Sequence, residues 1–413
     1  MTNHRVHIRS ERLKSLLGAI NQFGFNATTG GYNRPGFSHA DKQVRDWFAT
    51  QLTKDGLMVT QDAAGNVFGR LGPIDTPCIM VGSHLDTVPE GGAFDGALGV
   101  AIGLECIRSI KEKGIALRHP IVVAATSDEE GRFGGMLGSQ TISGQLAQGW
   151  TEEAEDADGI KLTDAMRHQG YDPDALQLSA WPFGSIKAFL ELHVEQGPML
   201  ETATQSIGIV EGVSGVLVLS IDLDGVANHS GTTPMELRSD AFAGLAQIAA
   251  GIPDMIREIG TDQSRITIGK VAIEPNFPHT IPGHASFTVI IRDLSSDVMG
   301  LLRAKLTENV DKVCEQHRLT HRIEERSYIA PTLLDPALRA TFLTEAKALG
   351  LEHQIMPSGA GHDAQTMQAF CPSGLIFVPS KDGISHAPEE WTDWPDIEKG
   401  AQLMLNTILQ LAT

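Results

Sequence analysis

Cysteine is scarce: the 413 residues hold four, Cys78, Cys106, Cys314 and Cys371, with no CxxC pair and no regular spacing. That excludes a disulfide framework and leaves the thiols as small buried residues in a reducing cytoplasm. Long apolar runs are also missing, so no segment reads as a membrane span, and the opening stretch MTNHRVHIRS lacks the apolar centre of a secretory signal. Positive charge is in short supply, with 32 Lys and Arg against 51 Asp and Glu and a net charge of −19. Nucleic acid and anionic membrane are therefore poor partners. A small anionic substrate stays open, because one local arginine outweighs a distant field at physiological salt. Internal repeats and low-complexity tracts are absent. What remains is the composition of a globular protein, 41% apolar and 20% charged, in a chain long enough for two domains.

The stretch Met80 to Val100, MVGSHLDTVPEGGAFDGALGV, is the centre of the reading. An apolar run over 78–82 predicts a buried strand. His84 and Asp86 follow it two residues apart, on one face of an extended backbone. A Gly-Gly turn then brings in Asp95. From Ala97 a helical stripe of Leu98, Val100, Ala101, Leu104, Ile107 and Ile110 runs to about Gly114. An imidazole and two carboxylates thus gather at the carboxyl end of a buried strand, where open α/β sheets place ligands, and they form a donor set for zinc, manganese or a similar ion. His-x-Asp alone is as readily a surface pair in a loop. The next strand, 120–126, argues against that. It leads into Ser127-Asp128-Glu129-Glu130-Gly131, and a right-handed crossover to a parallel neighbour sets the two carboxyl ends side by side. Adjacent glutamates point to opposite sides, so one can hold metal while the other handles protons.

Around this core, residues 10–23 and 40–55 predict amphipathic helices flanking the loop GGYNRPGF, and short strands flank the turn AGN within 59–70. The acidic run 150–158 reads as a solvated face, since it lacks the alternation and glycine of a calcium loop. A short helix is expected near 162–169. The strand 188–194 delivers Glu191, His193 and Glu195 along one face. After Gly212 the pattern becomes strand 216–223, helix 236–250, strand 265–273, strand 285–292, helix 296–317 and strand 320–328, a βαββαβ order of the ferredoxin-like kind. The first pattern resumes with helix 336–349, a helix near 364–370, strand 375–379 and helix 395–411. The expected fold is therefore α/β. A mixed, mainly parallel sheet flanked by helices, over 1–212 and 329–413, is interrupted by an α+β unit over 213–328. The loops also offer His229, Arg292 beside Asp293, His362-Asp363 and His386. Taken singly, a loop histidine is usually structural and Arg292-Asp293 is an ordinary surface pair. GISHA approaches the GxSxG elbow of serine hydrolases but ends in alanine.

Together, GSHLDTVPEGGAFDGALG, SDEEGRFGGMLGS, LELHVEQGPMLE, ANHSGTTPMELRSDA, SGAGHDAQ and FVPSKDGISHAPEEW, preceded by GGYNRP and DAAGNVFGRL, resemble one family. It is that of the dinuclear-metal amidohydrolases related to aminoacylase and the aminopeptidase-like exopeptidases. The nearest branch is that of N-carbamoyl-L-amino-acid hydrolases, allantoate amidohydrolases and β-ureidopropionases. The resemblance implies two divalent ions per subunit (zinc, or manganese, cobalt or nickel), with His84 and His193 on one, Glu130 and His386 on the other, and Asp95 bridging. It implies Glu129 as general base and Asp86 as the carboxylate orienting His84. His229 would stabilise the oxyanion across a homodimer formed through the inserted lid and dimerisation domain. Gln196, His279, Arg292 and Gly361 fall at substrate-binding positions, Arg292 taking the substrate carboxylate. His279 stands where the branch usually has asparagine, and an imidazole matches an amide's donor and acceptor pair in one tautomer only; Ser230 stands where alanine is usual. The implied reaction is hydrolysis of an N-carbamoyl amino acid in the cytoplasm. Allantoate or ureidoglycolate is the rival substrate, a dipeptidase or N-acyl amino acid deacylase a weaker rival, and a metal-free binding protein the alternative of another class.

Overall fold

The structure is a computed structural model that describes residues 6–147 and 149–413. The first five residues, and with them half of the stretch MTNHRVHIRS, lie outside the described residues, as does Gln148. The chain divides into two units, Met1–Glu211 with Leu334–Thr413, and Gly212–Leu333.

In the first unit the strands lie in the order Met58–Gln61, Val67–Leu71, Ile121–Thr126, Cys78–His84, Ile186–Val194, Ser373–Val378, Ile207–Val213, with His353–Ser358 also paired to the last of these. The central four, from Ile121–Thr126 to Ser373–Val378, are mutually parallel, and the pairs flanking them are antiparallel. The sheet is thus mixed and mainly parallel at its heart, as the sequence predicts. Cys78–His84 is buried along its whole length, which explains its unbroken apolar run. Its side chains sort by period two. Ile79 and Val81 join the core built with the helices Ser10–Ile20, His39–Lys54, Ala97–Glu112 and Trp394–Ala412. Cys78 and Met80 join the opposite core, beside Ile142 of helix Leu137–Ile142 and Ala364 and Met367 of helix Asp363–Met367. His84, in phase with Met80, stands on that second face, and so does His193, in phase with Phe189.

The second unit pairs its strands antiparallel in the order Thr320–Ile329, Gly215–Asp224, His284–Asp293, Arg265–Glu274. Helices Ala241–Ile259 and Ser296–His317 close its core through Ile248, Met255, Leu302, Leu306 and Val310. This is the expected βαββαβ arrangement. The first helix departs from expectation: it spans Ala241–Ile259 rather than 236–250. Asp240 caps it through Phe242 N and Ala243 N, so Met235–Leu237 is left as a separate 3-10 turn. The helix then continues through Pro253, because Ile252, Met255 and Ile259 keep their contacts with the core. Two strands of more than two residues are not anticipated, Ile207–Val213 and His353–Ser358; both are short and interrupted by Glu, Gly or Pro, which weakens any periodic signal.

Gly82 is a point where fold and site meet. A Cβ there would lie 2.1 Å from the Ala124 carbonyl oxygen of the neighbouring parallel strand. Gly82→Ala should therefore cost about 2 kcal/mol or more by urea unfolding, as overpacking does. An unchanged midpoint would show that the two strands do not need to approach this closely.

Candidate metal centre

Four parallel strands end at one edge of the sheet and deliver four loops there. His84 closes its strand opposite Thr126, so residues 127–130 begin beside it. His193 lies opposite Phe377, which sets the loop leading to His386 on the next strand over. Helix Ala97–Glu112 follows directly on Asp95 and is buried along almost all its length, which anchors that carboxylate from below.

Asp95 is the hub. Its Oδ1 lies 3.0 Å from His193 Nε2 and 3.3 Å from His84 Nε2, and its Oδ2 lies 3.3 Å from His386 Nε2. Glu130 Oε2 is 3.4 Å from His386 Nε2, and Glu129 Oε2 is 3.5 Å from His84 Nε2. Two donor groups result, His84 with Asp95 and His193, and Asp95 with Glu130 and His386, the donor atoms of each lying within 4.8 Å of one another. Asp95 belongs to both. The neighbouring glutamates diverge as their alternation predicts, after a left-handed Asp128 (φ 47) whose carboxylate accepts from Arg132 N and Phe133 N.

The outer hydrogen bonds set the tautomers. His84 Nδ1 meets the Asp86 carbonyl at 3.0 Å and His193 Nδ1 the Val194 carbonyl at 2.8 Å. Each ring thus spends its Nδ1 hydrogen on main chain, so in the neutral form that a metal requires it is Nε2, beside Asp95, that carries the lone pair. For His84 the hydrogen-bond partner is the main-chain oxygen of Asp86 rather than its carboxylate, whose nearer oxygen is 3.9 Å away. That carboxylate accepts from Glu130 N at 3.1 Å and faces the buried Arg45 guanidinium at 3.6 Å, so it holds the acid pair in place.

The electrostatics call for a cation. Burial lifts the Glu129 carboxyl well above its ordinary range, and burial with Asp95 nearby lifts Glu130 to about 7. Burial alone would lift Asp95 too, but His193, His386 and His84 hold it well below the usual range. The histidines respond in kind: burial disfavours a charged His193, yet Asp95 carries it up to about 9. A metal ion held by these donors would supply the missing positive charge, and imidazole with carboxylate is a donor set that suits zinc, manganese, cobalt or nickel. His386, half exposed, keeps the second group accessible from outside. A cavity of about 840 Å³, within the small-ligand range, has Glu130, Thr87, Val88, Phe37 and Arg132 among its walls.

The other residues singled out in the sequence fall as follows. Gln196, itself left-handed (φ 60), donates to Asp95 Oδ2 at 2.8 Å and reaches His386 Nε2 at 3.1 Å. Gly361 is exposed beside the buried His362. His362 meets Ser358 Oγ at 2.9 Å, whereas Ser385 Oγ bonds to Glu390 and Asp95, so Ser385 has no imidazole base of the serine-hydrolase kind. His229, His279 and Arg292 belong to the second unit. There His229 pairs with Thr280 and the His279 carbonyl accepts from Ser230 N, while Arg292 sits near the carboxyl end of strand His284–Asp293. In the run 150–158, Asp156 is taken up by Arg132 at 3.0 Å and its acidic neighbours are exposed. Sequence reasoning misses Arg45, Ser385 and Glu390. Arg45 looks like any helix-surface arginine, and Glu390 like one of two acids in a loop; burial alone distinguishes them, and burial is a property of the folded chain.

Metal uptake should release protons. With His193 near 9 and Glu130 near 7, the metal-free donors hold protons at neutral pH that binding must expel. Proton release on zinc titration should be greatest below about pH 7, fall as pH rises through about 7 and about 9, and be small above that, while apparent affinity rises over the same range. Calorimetry in buffers of different ionisation enthalpy measures this; pH-independent uptake would mean that the ion binds elsewhere.

Known proteins resemble the chain along almost its whole length. The chain is 37% identical over 411 residues to the N-carbamoyl-L-amino acid amidohydrolase of Geobacillus stearothermophilus, covering 98% of this chain and 99% of that one. It is 33% identical over 395 residues to the allantoate amidohydrolase of Bacillus subtilis, covering 95% of each. Among solved structures, an amidase of the hydantoinase/carbamoylase family from Burkholderia multivorans superposes with a TM-score of 0.92 at 32% identity, covering 98% of both chains. Residues 80–410, which carry every donor of the two groups, match the model of a metal-dependent family, and the chain belongs to it: peptidase family M20/M25/M40.

Proposed function

We propose that the protein hydrolyses the ureido group of an N-carbamoyl amino acid, consuming one water and giving the amino acid, carbon dioxide and ammonia. The observation that carries this reading is the double donor set sharing Asp95, with the carboxylate of Glu129 beside it. Relatives named for this activity and for allantoate hydrolysis reinforce it. Allantoate, whose ureido groups need the same chemistry, is the second reading. Two divalent ions, when bound, lower the pKa of water toward neutrality and polarise the ureido carbonyl. His84, His193 and Asp95 would hold one, and Asp95, Glu130 and His386 the other. Glu129 takes the proton from the attacking water and passes it to the leaving nitrogen; burial raises its carboxyl above the ordinary range, which helps it hold the proton between the two steps. Gln196 and Gly361 contact the substrate, and His279 replaces an amide in that role. Free, buried cysteines fit a cytoplasmic setting.

Arg292 takes the substrate carboxylate as a planar fork, and His229 stabilises the oxyanion. Within the second unit Arg292 lies at one end of the strand pair Gly215–Asp224 and His284–Asp293, and His229 lies in the two-stranded ribbon with Thr280 that the chain enters from the other end. Eight residues at ~3.4 Å each separate Arg292 from His284, with His229 beyond. This placement supports a homodimer in which the partner subunit supplies the oxyanion histidine and the inserted unit serves as lid and dimerisation domain.

Three measurements test these proposals. Glu129→Gln should lower kcat by on the order of 10²- to 10⁴-fold with metal content unchanged. Ammonia release from a panel of carbamoyl amino acids, allantoate and dipeptides identifies the substrate, and turnover retained by Glu129→Gln would remove the proposed base. Separately, inactive His229→Ala and Arg292→Ala chains, mixed under conditions that exchange subunits, should regain about a quarter of wild-type activity, because each mixed dimer holds one intact site. No recovery despite subunit exchange would place both side chains in the same copy's site.

A further inference from the structure

Asp95 and His386 are far apart in the chain and sit on different loops, yet the second donor group needs both within reach of one ion. Each loop is tied to the same side chain. Glu390, buried to 3% exposure, accepts through Oε1 from Phe94 N at 2.9 Å and Asp95 N at 3.0 Å. Its Oε2 accepts from Ser385 Oγ at 2.6 Å, and that hydroxyl lies 3.2 Å from Asp95 Oδ2. Gly92 leaves the space the carboxylate fills: a Cβ there would lie 2.2 Å from Glu390 Oε1. The contact continues outward, where Phe94 and Trp391 stack edge to face at 5.5 Å. His386 itself is 48% exposed and holds a left-handed backbone (φ 56), a conformation that persists only where the surroundings impose it.

We infer that Glu390 is a positioning residue that clamps the Asp95 loop to the Ser385-His386 loop and so assembles the second ion's donor group. It touches neither substrate nor ion in this role. It fixes the distance between two donors that the fold otherwise leaves on separate loops. The inference rests on the proposed reading of Asp95, Glu130 and His386 as ligands.

The hydrogen-bond pattern makes the variants informative. Glu390→Ala leaves two main-chain N–H groups and the Ser385 hydroxyl without their acceptor. Glu390→Gln can keep every contact: its amide oxygen serves Phe94 N and Asp95 N, while its NH2 donates to Ser385 Oγ, whose hydrogen turns to Asp95 Oδ2. Ser385→Ala breaks the link to the second loop and leaves the bonds to Phe94 N and Asp95 N. The test is zinc binding to the metal-free full-length chain, by chelator competition and elemental analysis, with circular dichroism as the check on folding. Wild type should take up two ions. Glu390→Ala should bind the weaker ion on the order of 10- to 100-fold less tightly and the tighter one as wild type does, and Glu390→Gln should stay within about threefold of wild type. Ser385→Ala should weaken the same ion, which keeps the test decisive if Glu390→Ala does not fold. Two ions bound with unchanged affinities by a folded Glu390→Ala chain would overturn the clamp, as would equal weakening of both ions. A single ion in wild type would instead overturn the ligand reading beneath it.

Discussion

One carboxylate governs the first unit. Asp95 faces the Nε2 atoms of three imidazoles, two at the ends of strands and one on a loop, and with Glu129 and Glu130 it concentrates negative charge where burial is nearly complete. Buried charges of one sign are tolerated only with compensation. In the metal-free chain the compensation comes from histidines driven toward their protonated forms and glutamates driven toward their neutral ones. Cations resolve the same conflict more completely, and the chemistry proposed for the site follows from that demand.

The sheet exists, in effect, to satisfy Asp95. Parallel strands carry their loops to a common edge, so four segments spread from residue 84 to residue 386 arrive together without any long-range sequence signal. Period-two alternation then places His84 and His193 on the same sheet face, while the opposite face is filled by the helices around Ala97–Glu112. Behind the donors a second ring of buried polar groups fixes their directions. Arg45 holds the Asp86 carboxylate, Asp86 holds Glu130 N, and Glu390 holds Asp95 N. The network is not fully hydrogen-bonded: Arg45 Nη2 and Asp86 Oδ1 face each other at 3.6 Å as an ion pair without a hydrogen bond.

The inserted unit obeys a simpler rule. It has its own apolar core, drawn from its own two helices and four strands, so it folds around itself and can interrupt the first unit in sequence without dividing that unit's core. Of the residues proposed to meet substrate, Arg292 lies at one end of its four-stranded sheet, and His229 lies in a separate two-stranded ribbon that the chain enters from the other end. That spacing, rather than any contact, supports an active site completed by a second copy.

Much of this was legible in the chain. The alternation of His84 with Met80, the pair Glu129-Glu130 after a second apolar strand, and His193 at the end of a third all follow from strand periodicity and parallel order, because those signals are local. The βαββαβ succession was legible for the same reason, apart from a helix whose start is set by the Asp240 cap and whose passage through Pro253 depends on core packing. Sequence could not show that His84 is oriented by a carbonyl instead of a carboxylate, that Ser385 bonds to carboxylates and not to an imidazole, or that Arg45 and Glu390 are buried. The order of the elements and the residue types of the donors were thus determined by sequence alone. Which polar groups lose their water, and therefore must find one another, was decided only when the chain closed on itself, since desolvation depends on every neighbour at once.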